Sequence, residues 1–147
     1  MDMEEFNNIN KLIKNIVFDV GMVLIDFCWD KPCREYGFSE DVISAFEKNM
    51  IKSEYWNHMD EGIMCEEEAI VKFKEAMPEY EKEIDMFWER PEKFVEEYSF
   101  AAPLIRELHE KGYYVYLLSN YPLHMYEIHW PTFRFFSLVD GYIVSSV

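Results

Sequence analysis

Asp19 closes the apolar run "NIVFDV", and Gly21 follows it almost at once. Far along the chain a second apolar run, "YYVYLLSN", ends in Ser119 and Asn120, and a third, "DGYIVSSV", ends in Ser145 and Ser146. A carboxylate at a strand end can attack an electrophile or ligate a hard cation. A hydroxyl and an amide can donate hydrogen bonds to the oxygens of an anion. Ligands of open α/β sheets bind beyond the carboxyl ends of the strands. If the three runs are parallel strands of one sheet, their polar ends therefore meet at one crevice. A helix opening near Pro122 would bring free N–H groups to the same place. Taken alone, Asp19 reads as readily as a turn residue or a helix cap; the matching strand ends are what favour chemistry.

The elements that must position these groups follow from periodicity. "NIVFDV" is apolar without alternation, the pattern of a parallel strand covered on both faces. "GMVLIDF" reads as a turn and a hairpin-like segment. From Ser39, a plausible N-cap, the spacing of Val42, Ile43, Phe46, Met50 and Ile51 predicts an amphipathic helix. A turn at Gly62 leads to a helix with Glu66–Glu68 in its first turn, where carboxylates suit the dipole. That helix carries Ile70, Phe73 and Met77 on one face, and Pro78 breaks it. The stretch from Ser39 to Tyr98 thus reads as helical, acidic and free of strands. Then Pro103 is expected to open a helix that Gly112 closes, with Leu104, Ile105 and Leu108 inward. Strand, helical block, helix, strand, helix, strand is the order of a parallel α/β sheet with a helical insertion after its first strand.

Composition limits the partners. The chain has 147 residues and a net charge of −15, with 50% apolar and 18% aromatic residues. One well-filled domain is the default at this length, and disorder is excluded. Such an acidic protein is a poor partner for nucleic acid or an anionic membrane, whose phosphates need Lys and Arg. The odd set Cys28, Cys33 and Cys65 contains no C-x-x-C pair and suits free thiols in a reducing cytosol. The acidic opening "MDMEEFNNINKL" lacks a signal-peptide layout, and no run approaches the ~18 apolar residues of a membrane span. The expected location is cytoplasmic.

With these motifs in place, the sequence resembles the haloacid dehalogenase (HAD) superfamily. "IVFDVGMVL" is similar to its first motif and "VYLLSN" to its second, while the helical block matches the cap of the C1 group, including the segment "WNHMDEGIMCEEEA". Asp-x-Gly is typical of a branch, within subfamily IA, that includes sugar-1-phosphate phosphatases. The resemblance implies a Rossmann-like parallel sheet with an inserted helical cap: an α/β core of residues 1–27 and 99–147, and a cap of 28–98. It implies hydrolysis of a small phosphorylated metabolite, a sugar phosphate being favoured. Asp19 would be the nucleophile and form an aspartyl-phosphate. Asp19 and the carbonyl of Gly21 would ligate Mg²⁺, and Ser119 with the N–H of Asn120 would hold the phosphoryl oxygens.

The departures from the pattern carry expectations too. The second residue after the nucleophile is usually an Asp that protonates the leaving group; here it is Gly21. Met22 stands where the branch often has Asn. The family's Lys and acidic-pair motifs would lie beyond Val147, with about fifty residues and two strands, so the core reads as truncated and its first strand as an edge that a second copy could cover. A 2-haloacid dehalogenase and an inactive HAD-like binding module are the alternatives. If the metal site lay elsewhere, Asp26 or Asp140 would supply it. Trp56, His58, Asp60 and Glu61 lie in the cap segment, where they could touch substrate, although Asp60 and Glu61 read first as solvated residues on the outside of the cap. His124 and His129 have no partner at metal-ligand spacing, Met50, Met59, Met64 and Met77 read as core filler, and Tyr113, Tyr114 and Tyr116 as sheet packing.

Overall fold

The structure is a computed structural model that describes residues 12–147; most of the acidic N-terminal stretch lies outside the described residues. A parallel sheet of β1 (Asn15–Phe18), β4 (Tyr114–Ser119) and β5 (Gly141–Val144) runs in the order β1-β4-β5. The register pairs Phe18 with Leu117, and Ser119 with Val144. All three strands therefore end on the same side. The crossovers are α6 (Ala101–Glu110) and α7 (Leu123–His129).

Between β1 and β4 the chain makes five further helices: α1 (Asp30–Glu35), α2 (Glu40–Phe46), α3 (Glu54–Asp60), α4 (Glu66–Ala76) and α5 (Glu81–Trp88). Ser39 caps α2 by accepting the Val42 N–H at 3.4 Å, and the helix runs on as a π turn over Glu47–Ile51. Glu68 reaches back to the Cys65 N–H at 3.2 Å at the start of α4, so the expected acidic first turn acts as a local cap. Phe46, Met50, Phe73, Met77, Ile84, Phe87 and Phe94 are all buried in this layer. The Phe87 and Phe94 rings stack with centroids 4.2 Å apart.

Three expectations change. The helical block is not free of strands: β3 (Val95–Glu97) ends it and pairs antiparallel with β2 (Ile25–Phe27). The hairpin-like segment after β1 finds its partner about seventy residues away in sequence, because Val95 offers Phe27 an apolar cross-strand neighbour. The helix α6 begins at Ala101, ahead of Pro103; in the first turn a missing N–H costs nothing. β1 is not covered on both faces. Among the described residues it is an edge strand, with Val17 59% exposed. Val17, Leu118 (56%) and Ile143 (66%) share the open face. The other face, with Val115, Leu117 and Val144, is buried.

Candidate active site

Just beyond β1 the backbone turns sharply. The carbonyl of Val20 accepts the N–H groups of Val23, Leu24 and Ile25 at 3.3, 2.9 and 3.2 Å. Val20 and Leu24 are fully buried and anchor this loop, which leaves Asp19 exposed. The Asp19 carboxylate accepts the Val20 N–H at 2.7 Å, which orients it without covering it. Met22 adopts a positive φ of 57°, a conformation that glycine and asparagine take more easily. No atom lies within 4 Å of a Cβ built on Gly21.

Ser119 and Asn120 close β4 beside this loop. A crevice of about 440 Å³ is lined by Val17, Asp19, Gly21, Leu118, Ser119 and Asn120. The structure thus brings together all four residues expected to act. Ser119 is buried, with its hydroxyl 3.4 Å from the Asn120 carbonyl, and Asn120 is exposed. The Asp19 carboxylate and the Gly21 carbonyl are hard oxygen donors of the kind Mg²⁺ takes, two of its six positions. Among the described residues, no group of three or more His, Cys, Asp or Glu side chains gathers to hold a metal.

Ser145 and Ser146, expected to face the crevice, are used otherwise. The Ser145 hydroxyl donates to the Asp60 carbonyl at the end of α3 and accepts the Tyr121 N–H at 3.1 Å. The Ser146 hydroxyl donates to the carbonyl of Tyr121 at 2.5 Å. Their hydroxyls satisfy backbone groups that would otherwise be stranded where the helical block meets the sheet. Asp140 sits at the opposite end of the sheet from Asp19. It accepts the Val115 N–H at 2.7 Å and lies 3.1 Å from His109 Nε2. Those bonds hold its carboxyl below the usual range, the backbone N–H first. Asp26 lies within the β2–β3 pair, opposite Glu96. Neither acid joins the crevice.

A second cavity of about 220 Å³ adjoins the first, because Gly21 and Asn120 line both. Its walls include Ile25, Phe27, Trp56, Val95 and Met125, and it also takes in Asp60 and Tyr121. Asp60 is therefore not a solvated residue on the outside of the helical block. It is half-buried, and burial, then the charge of Glu61, pushes its carboxyl up to about 6. Tyr121 is buried; burial and the nearby Asp60 push its phenol up, so its hydroxyl stays a donor. The one sequence signal for Asp60 is its place in the segment "WNHMDEGIMC"; its burial depends on Tyr121 and β5, which sequence spacing cannot show.

His129 is buried between Tyr121 and the Pro91 carbonyl, and His124 pairs with Glu66 at 2.8 Å. Both tie the helix after β4 to the helical block. Met50, Met59 and Met77 are buried as expected and Met64 partly so, whereas Tyr114 stands 55% exposed on the open sheet face.

Parallel strands, an acid after the first, a hydroxyl after the second and a helical layer above them define a fold class. By structure the chain is similar to HAD family enzyme bt-2542 from Bacteroides thetaiotaomicron, in complex with magnesium and inorganic phosphate. The TM-score is 0.61 and the identity 23%, over 91% of this chain and 69% of that one. It is similar to YfnB from Bacillus subtilis, a HAD-hydrolase bound to magnesium (TM-score 0.60, 19% identity, 90% of this chain and 65% of that one). It is also similar to L-2-haloacid dehalogenase from Xanthobacter autotrophicus with chloropropionic acid covalently bound (TM-score 0.59, 17% identity, 90% and 56%). No sequence-family model matches the chain, and no curated protein matches it by sequence. The chain has the haloacid dehalogenase fold.

Proposed function

We propose that this chain is a hydrolase of the haloacid dehalogenase superfamily that dephosphorylates a small phosphomonoester, a sugar phosphate being the favoured class. The observation that carries this reading is the single crevice formed by Asp19, Gly21, Ser119 and Asn120 at adjacent ends of parallel strands. The Asp19 carboxylate is exposed and oriented to attack phosphorus, forming an aspartyl-phosphate that water then hydrolyses. The Ser119 hydroxyl and the Asn120 N–H hold the phosphoryl oxygens. Asp19 and Gly21 would hold Mg²⁺, which when bound supplies charge neutralisation at the phosphoryl group. The adjoining apolar cavity accommodates the rest of the ester.

Among the described residues no helix is long and apolar enough to cross a membrane. The cysteines Cys28, Cys33 and Cys65 are unpaired, and a reducing cytoplasmic location suits them.

One observation favours a second reading. Gly21 leaves no acid two residues after the nucleophile, and a halide leaving group needs no proton, as in a 2-haloacid dehalogenase. The deciding experiment assays the 147-residue chain with and without Mg²⁺ against phosphomonoesters and 2-haloacids, alongside Asp19→Asn. Phosphate release that needs Mg²⁺ and vanishes in Asp19→Asn supports the phosphatase; metal-independent halide release supports the dehalogenase. Phosphate release that survives Asp19→Asn rules out the aspartyl-phosphate.

A further inference from the structure

We infer that Asp60, carried by the cap, is the acid that protonates the leaving group, taking the place that Gly21 leaves empty beside the nucleophile. This rests on the phosphatase reading and adds a residue to it. A phosphoryl group held between Asp19 and Ser119 fills the crevice at the strand ends, and its ester oxygen must point away from Asp19 for in-line attack. Gly21 and Asn120 line both cavities, so the leaving group passes between them into the space that Asp60 borders. Among the described residues lining that space, Asp60 is the one carboxylic acid.

Asp60 has no structural use for its carboxyl. Among the described residues no protein group donates a hydrogen bond to it, although its backbone carbonyl is tied to the core by Ser145. It is the last residue of α3, where the helix dipole disfavours a negative charge, and it is half-buried beside apolar walls. Both placements disfavour a carboxylate and favour a carboxylic acid. The groups that face it are Glu61 on its own segment and the Tyr121 hydroxyl from the β4–α7 connection. With its carboxyl pushed up to about 6, it holds a useful fraction of its proton near neutral pH.

The step balances. Asp19 forms a bond to phosphorus, the bond from phosphorus to the ester oxygen breaks, and the electron pair leaves on that oxygen as it takes the proton of Asp60. Water then attacks the aspartyl-phosphate, gives a proton to the Asp60 carboxylate, and the bond between phosphorus and the Asp19 oxygen breaks. Asp19 and Asp60 are both restored, and the products are an alcohol and phosphate.

The test compares two substrates of different leaving-group acidity in the full chain: glycerol 2-phosphate, which needs a proton, and p-nitrophenyl phosphate, which needs almost none. Asp60→Asn is expected to lower kcat/KM about 100-fold on the alkyl ester while changing the aryl ester little. Gly21→Asp in the Asp60→Asn background is expected to recover alkyl turnover, since the space at Gly21 is open. The decline of the wild-type alkyl profile as pH rises through about 6, where Asp60 loses its proton, should vanish in the variant. Equal losses on both esters, or none on either, overturn the role of Asp60. Asp60 titrating as an ordinary carboxylate by ¹³C NMR overturns it as well. Turnover of neither ester by the wild type, or activity surviving Asp19→Asn, overturns the phosphatase reading itself, and Asp60 as its acid falls with it.

Discussion

The Tyr121 hydroxyl donates to Nδ1 of His129 at 2.8 Å, and Nε2 of the same imidazole donates to the Pro91 carbonyl at 2.7 Å. One neutral ring thus joins the residue that follows Ser119 and Asn120 to the last turn of the helical block. The ring is almost fully buried, and desolvation pushes its pKa down.

This bond makes the junction sensitive to acid. A histidine depressed in the folded state stabilises fully above its unfolded value of about 6.5, and that stability is lost as pH falls through the folded value. Stability from this group should therefore decline below about pH 6.5. His129→Ala leaves the Tyr121 hydroxyl and the Pro91 carbonyl without partners and opens a cavity. It should cost about 2–4 kcal/mol, measured by urea unfolding at pH 7.5.

Asp60 acts in the opposite sense. Its folded value of about 6 lies above the ordinary 3.8, so the folded state binds the extra proton. The associated stability is present below about pH 4 and is lost as pH rises through about 6. Asp60→Asn should therefore be more stable than wild type at pH 7, by up to about 3 kcal/mol, with the advantage gone at pH 4. Thermal melts of both proteins across that range check the sign. Such a gain, with the loss of alkyl phosphatase activity, is what a strained functional group produces.

Met22 holds a positive φ of 57° while its side chain is 64% exposed. Its sulfur accepts the Phe27 N–H at 3.4 Å, a weak contact. Met22→Asn should relieve the backbone cost at little loss and raise stability by about 0.5–1 kcal/mol. A shift of the urea midpoint to lower concentration would mean that the Met22 sulfur contact outweighs the strain.

Val17, Leu118 and Ile143 form an open apolar face on the sheet, next to the edge of β1, which no strand among the described residues pairs. The isolated chain is expected to self-associate through this face and edge. Replacing the three by Thr keeps β propensity and should shift the light-scattering mass toward the monomer. An unchanged mass would place the contact elsewhere.

Much of the site was legible because it depends on local rules. Strand-end polar residues after apolar runs pointed to Asp19, Ser119 and Asn120, and the parallel pairing of β1 with β4 sets those ends side by side. Ser39 as a cap and Gly112 as the turn that ends α6 were legible for the same reason. Gly112 takes a φ of 86°, which a side chain would strain.

Tertiary structure alone decided the rest. Ser145 and Ser146 are chemically suited to a crevice, yet the approach of the helical block turned them into bolts on Asp60 and Tyr121. Asp60 and Glu61 are neighbours of the same charge in the sequence, but only Asp60 is drawn against Tyr121 and apolar walls. The residue types along the chain determine which groups can do chemistry and which strand ends carry them. How dry each group is, and what faces it, depends on segments far apart in sequence that meet only when the chain folds, and solvation is what sets the proton affinity of a carboxyl group.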